Sequence, residues 1–141
     1  TWLSRDAGDD RLDFGVADFE YAGADGRAVF DVKPGTYHVV VSRGAEYSIH
    51  GSRVTLASGE TRAVDARLAR VLDTRGYVSS DFHVHGVDST DSRTGLEKRA
   101  LQYAGEGIEN IVMTEHNGRT DLNPTIRALG LQEDLFATIG E

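Results

Sequence analysis

The sequence predicts a two-part α+β chain, with an antiparallel β-sandwich over residues 1–72 and a βαβαβ unit over residues 73–141. In residues 1–70, turn residues separate short segments of alternating apolar residues, which is typical of a sandwich. After VLDTRG (71–76), strand-like and helix-like stretches alternate, which indicates a parallel sheet. Hydrophobic residues make up 39% of the chain and charged residues 27%, a globular composition.

Period-two alternation of apolar side chains predicts the strands of the first part. In one of these strands, Tyr37, Val39 and Val41 fall on a single face. Pro34 and Gly35 form a turn signal before it. The predicted strands are RAVFDV (27–32), TYHVVVS (36–42), SRVTL (52–56) and TRAVDARLA (61–69).

The second part is predicted to alternate three strands with two helices. Apolar residues at helical spacing predict a helix over residues 94–107, which a glycine would end. A second helix is predicted over residues 123–131, with Asn123 as its cap and Pro124 at its first position. The predicted strands are YVSSDFHVH (77–85), IENIVMT (108–114) and LFATIG (135–140).

Charge and composition exclude several classes of function. The formal net charge is −8, whereas a sequence-independent nucleic-acid binder needs a basic surface, so no nucleic-acid partner is expected. The chain has no cysteine, which excludes disulfides, thiolate zinc sites and a cysteine nucleophile. No apolar run approaches the length of about 20 residues that spans a bilayer. The opening TWLSRDAGDD has no signal-peptide character, and we interpret the chain as an excised piece.

The segment DFHVHGVDSTD (81–91) places two histidines one residue apart at the end of a predicted strand. Positions i and i+2 of a strand face the same way, about 6.6 Å apart, so His83 and His85 can converge on one cation. Phe82 and Val84 are expected to point to the other face, into packing. The C-terminal ends of strands are where α/β folds bind ligands. The spacing therefore indicates half of a metal site.

The two following strands also end in potential ligands. The second ends in TEHN (114–117), which carries Glu115 and His116, and the third ends at Glu141. Asp88 and Asp91 add carboxylates in the loop after the first strand. A mixed cluster of histidine and carboxylate suits zinc, manganese or iron without selecting among them. The sequence therefore predicts a metal site along this rim.

Three ordered motifs, SSDFHVHGVDSTDS, GIENIVMTEHN and ATIGE, resemble those of the PHP (polymerase and histidinol phosphatase) metallohydrolase superfamily, and most of all its CehA/McbA-like branch. The resemblance covers residues 77–141. It implies the first βαβαβ portion of a distorted β/α barrel, truncated in this chain. It also implies a phosphoesterase in which two or three divalent ions (Zn, Mn or Fe) activate water to attack a phosphorylated small molecule.

The resemblance assigns roles to individual positions. Asp81 matches a residue close behind the ligands, where it would accept a hydrogen bond, and Glu115 stands where the family usually has Asp. No general acid or base is identified. The remaining family ligands lie in later strands, so the C-terminal remainder of the barrel is expected to be missing and the fragment alone inactive. The positions that match metal ligands are His83, His85, Asp91, His116 and Glu141.

The first part has a resemblance of its own. DGRAVFDVKPGTYHVVVSRG (25–44) is similar to carboxypeptidase-regulatory-like sandwich modules, which are structural or binding units. This similarity favours a periplasmic or extracellular location. Two alternatives to an enzyme stay open. One is a non-catalytic binding or interaction module attached to a degenerate barrel start, and the other is a metal site that only staples the fold.

Overall fold

The computed structural model describes residues 1–5 and 16–141. Over these residues the protein is mixed α+β, as the sequence predicts, with two sheets and two helices. The elements in chain order are β1 (Trp2–Arg5), β2 (Val16–Phe19), β3 (Gly35–Val41), β4 (His50–Leu56), β5 (Ser80–Val84), α1 (Leu96–Gly105), β6 (Asn110–Met113), α2 (Asn123–Ala128) and β7 (Phe136–Ile139).

The first sheet is antiparallel, with strand order β2-β1-β3-β4. The predicted inward face of β3 is confirmed, because Tyr37 and Val39 are buried with Leu3 and Val41 packs against them. The Tyr37 hydroxyl donates to the carbonyl oxygen of Lys33 at 2.7 Å, so its polar end is satisfied. Antiparallel pairing is thus confirmed, whereas the second layer of a sandwich stays a prediction.

Two predicted strands of this part are wrong. Residues 27–32 and 61–69 form no strand in the structure. Their apolar side chains nevertheless contribute to the core, since Phe30, Val32 and Val64 pack against the buried residues of the first sheet. Alternating burial needs only an extended chain over a core, and it does not require a hydrogen-bonded neighbour. The period-two pattern therefore identified the packing and not the pairing.

The second sheet is parallel, with its strands in the sequential order β5-β6-β7, so the predicted alternation of strands and helices is confirmed. The helix α1 connects β5 to β6, and α2 connects β6 to β7. Residues with almost no exposed surface form its core, among them Ile111, Met113, Leu122 and Ile126. Gly107, at a φ of 72°, follows α1 in the left-handed conformation that ends helices.

Asn123 is not the cap of α2, contrary to the prediction. The capping position is Leu122, and Asn123 is the first helical residue. Its side chain bonds β7 instead, because Nδ2 donates to the carbonyl oxygen of Ala137 at 2.8 Å and Oδ1 accepts from the amide of Ala137 at 3.0 Å. The amide group thus satisfies both backbone groups of one strand residue, which a cap geometry would not allow.

Phe82 does not point into packing, as the sequence predicted, but is 72% exposed, whereas Val84 is buried. The pairing of β5 with β6 shifts register between Asp81 and Val84. This irregularity breaks the two-residue alternation on which the prediction relied.

The two sheets meet where the loop after β3 lies against the end of α1. A Cβ on Gly44 would lie 2.0 Å from the carbonyl oxygen of Glu106, so the backbones touch. Beside this contact, Arg43 Nη2 donates to Asp134 Oδ1 at 2.5 Å. Across the part of the chain that the structure describes, no helix combines the length and apolar character needed to cross a bilayer.

Candidate metal centre

The parallel pairing of β5 and β6 brings two histidines to the same edge of the sheet. Val84 is opposite Met113, and the amide of Thr114 donates to the carbonyl oxygen of Val84 at 2.8 Å. His85 follows directly on β5, and His116 follows shortly after β6. Their ring centroids lie 4.8 Å apart, as expected when two parallel strands end together.

Asp91 completes a group of three potential ligand residues with these histidines. One ligand atom from each of His85, Asp91 and His116 lies within 4.8 Å of the others. Asp91 Oδ2 is 3.2 Å from His116 Nε2, and Asp91 Oδ1 is 3.5 Å from His85 Nδ1. The loop after β5 therefore folds back so that its carboxylate bridges the two imidazoles.

His83 joins this group through His85. The two Nε2 atoms are 2.7 Å apart, and the ring centroids are 4.8 Å apart. Two nitrogen lone pairs that face each other at this distance repel, so a proton or a cation has to lie between them. The predicted convergence of the HxH pair is therefore present in the structure.

The carboxylate of Asp91 is held in its ionised form. Its pKa is lowered, chiefly by a hydrogen bond from the Ser89 hydroxyl and further by the nearby His85 and His116. Asp88, the other candidate in this loop, has a different task. Its Oδ2 accepts a hydrogen bond from the Thr120 hydroxyl at 2.7 Å, which joins the loop after β5 to the loop after β6. The structure thus places Asp91, and not Asp88, among the imidazoles.

Ser89 is a contributor that the sequence analysis missed. It is 3% exposed, and its Oγ lies 3.0 Å from His85 Nδ1 and 3.1 Å from the backbone amide of His116. The only signal in the sequence was its position in the short loop between His85 and Asp91. One buried hydroxyl therefore contacts both strand ends of the site.

Glu115 lies behind the histidines and is 1% exposed. Its Oε1 accepts from the amide of Gly86 at 2.7 Å, whereas Oε2 is buried with no hydrogen-bond partner. A Cβ on Gly86 would lie 2.8 Å from Oε1, so only glycine lets the carboxylate come this close. Glu115 therefore anchors the beginning of the loop that carries Ser89 and Asp91.

Asp81 supports the site from the other side. Its Oδ1 accepts from the backbone amide of His83 at 3.0 Å, and its Oδ2 accepts from the Tyr103 hydroxyl at 2.9 Å. The expected acceptor is thus present, and it holds the backbone of a histidine. Burial, followed by the bond to Asp81, raises the pKa of Tyr103 to about 12.

Glu141 lies outside the group of three. Its Oε2 accepts from Arg119 Nη2 at 3.1 Å, and both side chains are well exposed. Of the five positions predicted as ligands, the structure thus brings together His83, His85, Asp91 and His116.

Comparison of the chain with protein-family models, with curated proteins and with solved structures finds no match.

Proposed function

We propose that the rim formed by the ends of β5 and β6 binds a divalent transition-metal ion, and that the chain is part of a metal-dependent hydrolase of the phosphoesterase class. The observation that carries the proposal is the convergence of His85, Asp91 and His116, whose ligand atoms lie within 4.8 Å of one another although they come from the separate loops after β5 and β6. Such convergence costs side-chain entropy, which metal binding would offset.

The donor set favours zinc, manganese or iron. Imidazole nitrogens suit these ions, whereas magnesium and calcium prefer sites made of oxygen alone. Two imidazoles and an ionised carboxylate supply three ligands, and His83 supplies a further nitrogen beside His85. Three protein ligands that leave a coordination position free are the arrangement of catalytic metal sites.

The negative charge of the chain bears on how a phosphate ester could bind. A bound metal would supply an activated water nucleophile and would offset the negative charge of a phosphate ester. The latter matters because the chain has 23 acidic and 15 basic residues and would otherwise repel such a substrate. The residues of the chain would orient the metal, and Asp91, held ionised by Ser89, would keep a carboxylate on it without first losing a proton.

The order of the motifs supports a finer assignment. We infer that residues 77–141 are the opening βαβαβ portion of a CehA/McbA-like PHP barrel and that residues 1–72 are a carboxypeptidase-regulatory-like sandwich. Three parallel strands in sequential order, which are followed by His85, His116 and Glu141, support the first inference. The antiparallel sheet around β3 and β4 supports the second.

The test is the metal content of the purified chain by elemental mass spectrometry, followed by zinc titration of the metal-free protein. We expect bound metal in the wild type, and loss of it in His85→Ala and His116→Ala. His50→Ala, which removes a histidine from β4 in the other sheet, is the matched control and should keep its metal. Equal metal content in all four proteins would contradict the proposal.

Turnover separates a catalytic metal from a structural one. Chromogenic phosphate monoesters and diesters should be hydrolysed by the metal-loaded protein that carries the complete barrel and not by its His116→Ala variant, whereas the fragment alone should be inactive. Metal binding without hydrolysis, together with unfolding of residues 77–141 on chelation, would instead assign the metal a purely structural role.

A further inference from the structure

We propose that a polar cavity between the two sheets binds a small zwitterion, a molecule with one carboxylate and one ammonium group, such as a free amino acid. The cavity has a volume of about 340 Å³, which is within the range of small-molecule sites. The inference does not depend on the proposed metal centre. The side chains that line the cavity are those of Arg43, Tyr47, Arg70, Glu109, Glu133 and Asp134.

The cavity lies at the end of the second sheet that is remote from the metal centre. Gly107 and Glu109 line it just before β6 begins, and Glu133 and Asp134 line it just before β7 begins. These strands are parallel, so the four residues lie at the amino ends of the strands, whereas the metal centre lies at the carboxyl ends. A ligand in the cavity would therefore leave the metal centre free.

The wall formed by the first part of the chain is cationic. Arg43 and Arg70 place their guanidinium carbons 5.4 and 5.5 Å from the centre of the Tyr47 ring, which holds both groups beside the cavity. Each guanidinium also forms an ion pair through Nη2, Arg43 with Asp134 and Arg70 with Glu46. These pairs use only part of the five N–H donors of a guanidinium, so donors remain for the carboxylate of a ligand.

The opposite wall is acidic, and part of its charge has no cationic partner among the residues that the structure describes. Asp134 is paired with Arg43, whereas Glu133 is exposed and neither bonded nor paired to any of these residues. Glu109 Oε2 accepts from the amide of Ser79 at 2.9 Å, which leaves Oε1 as an acceptor. An ammonium group between Glu109 and Glu133 would supply the missing positive charge.

The two walls together select the class of ligand. A simple anion would be attracted by the arginines and repelled by the carboxylates, and a simple cation would meet the reverse. A zwitterion can turn its carboxylate towards Arg43 and Arg70 and its ammonium group towards Glu109 and Glu133. The lining residues that the structure describes include no aliphatic residue, so a long hydrocarbon chain would gain little by burial.

The experiment is isothermal titration calorimetry of the metal-free chain. The probes are glycine, β-alanine and γ-aminobutyrate, in which the two charges lie progressively further apart, and acetate and methylammonium, which carry one charge each. We expect saturable binding of at least one zwitterion, with a dissociation constant in the millimolar range or below, and much weaker binding of acetate and methylammonium. Binding of no zwitterion, or equally tight binding of a probe with one charge, would overturn the proposal.

Two charge variants test the two walls. Arg70→Gln and Glu133→Gln should each bind the best zwitterion roughly tenfold more weakly, because each removes one charged contact. Their selectivity should change in opposite directions, since Arg70→Gln should bind methylammonium better than the wild type does and Glu133→Gln should bind acetate better. Arg75→Gln is the matched control, because Arg75 is exposed, pairs with Asp73 and does not line the cavity, and it should match the wild type.

Circular dichroism of each variant separates loss of the site from loss of the fold. Folded Arg70→Gln and Glu133→Gln proteins that bind the zwitterion as tightly as the wild type would overturn the proposal. If a variant does not fold, the comparison of probes on the wild type still decides. All titrations use metal-free protein, so a failure of zinc binding contradicts the metal centre alone, and a failure of zwitterion binding contradicts this inference alone.

Discussion

The carboxylate of Glu115 shows how one buried residue can hold a functional loop in place. It joins the end of β6 to the beginning of the loop after β5 through the amide of Gly86. Leaving a buried backbone amide without a partner costs about 1–3 kcal/mol, so this bond strongly favours the observed path of the loop. The second oxygen of Glu115 has no hydrogen-bond partner, so burying this carboxylate costs free energy of folding.

The Tyr103 hydroxyl gives a prediction about alkaline stability. Its pKa is about 12 in the folded chain, against 10.0 for an unperturbed tyrosine. Between these values the unfolded chain loses this proton while the folded chain keeps it. The stabilisation is therefore complete below about pH 10, and it is lost as the pH rises towards about 12. We expect Tyr103→Phe, which has no such proton, to lose less free energy of unfolding over this window.

Urea unfolding of both proteins at several pH values measures this difference. Every other titrating group is shared, so the gap between the two pH profiles isolates Tyr103. At neutral pH the variant should also be about 0.5–1.5 kcal/mol less stable, because Asp81 loses a hydrogen bond. Parallel profiles from pH 9 to 12 would show that the hydroxyl titrates as an ordinary surface group.

Sequence reasoning predicted the approach of the histidines at the ends of β5 and β6, but Glu141 after β7 lies apart from them. His83, His85 and His116 could be predicted because parallel strands end at one edge. The contacts between loops could not be predicted in this way. The bond from Thr120 to Asp88 and the place of Ser89 depend on how two irregular segments approach each other, and no periodicity describes that approach.

Elements of the second sheet were easier to predict than those of the first. Helix α1 is long enough for its apolar spacing to be distinctive, and β6 is nearly continuous in burial. In the first sheet, residues 27–32 and 61–69 have the alternation of strands without a partner strand. Pairing is a long-range property, and a local pattern cannot report it.

Asn123 provides a prediction at the scale of elements, because it joins α2 to β7. Replacing it with alanine should lower the free energy of unfolding by about 1–3 kcal/mol, since both backbone groups of Ala137 lose their partner. Asn123→Asp keeps the oxygen that accepts from the Ala137 amide but puts a carboxylate oxygen where Nδ2 donates to the Ala137 carbonyl oxygen and to Asp121 Oδ1, so it should be at least as destabilising as alanine. Chemical denaturation of the three proteins gives the order, and an alanine variant as stable as the wild type would refute the role of this side chain.

At the scale of the whole molecule, backbone contact and not charge joins the two sheets. Arg43 and Asp134 form an ion pair, but their side chains are 35% and 38% exposed, and such pairs contribute about 0–1 kcal/mol. Gly44 lies directly against the end of α1, where its missing Cβ leaves room for Glu106. Steric fit at Gly44 therefore contributes to how closely the two sheets approach, as does Gly105, where an added Cβ would lie 2.7 Å from Tyr21 Cδ1.

Gly44→Ala tests this fit. Gly44 has a φ of 55°, where alanine costs about 1–2 kcal/mol, and the added Cβ would also overlap the carbonyl oxygen of Glu106. Gly26→Ala is the matched control, because Gly26 has a φ of 72° and nothing within 4 Å of an added Cβ. Thermal and urea unfolding should show Gly44→Ala to be the less stable variant by at least about 1 kcal/mol. If both variants lost the same free energy of unfolding, the backbone near Glu106 would have to move away from the added Cβ at no cost in stability.

The short span of chain between His85 and His116 has a consequence for synthesis on the ribosome. These two histidines and Asp91 lie on one strand–helix–strand crossover, so all three side chains come from the chain that precedes α2. Translation proceeds from the N-terminus at about 5–20 residues per second, so the crossover leaves the ribosome before β7 does. The nascent chain can thus bring these three side chains together before β7 pairs with β6.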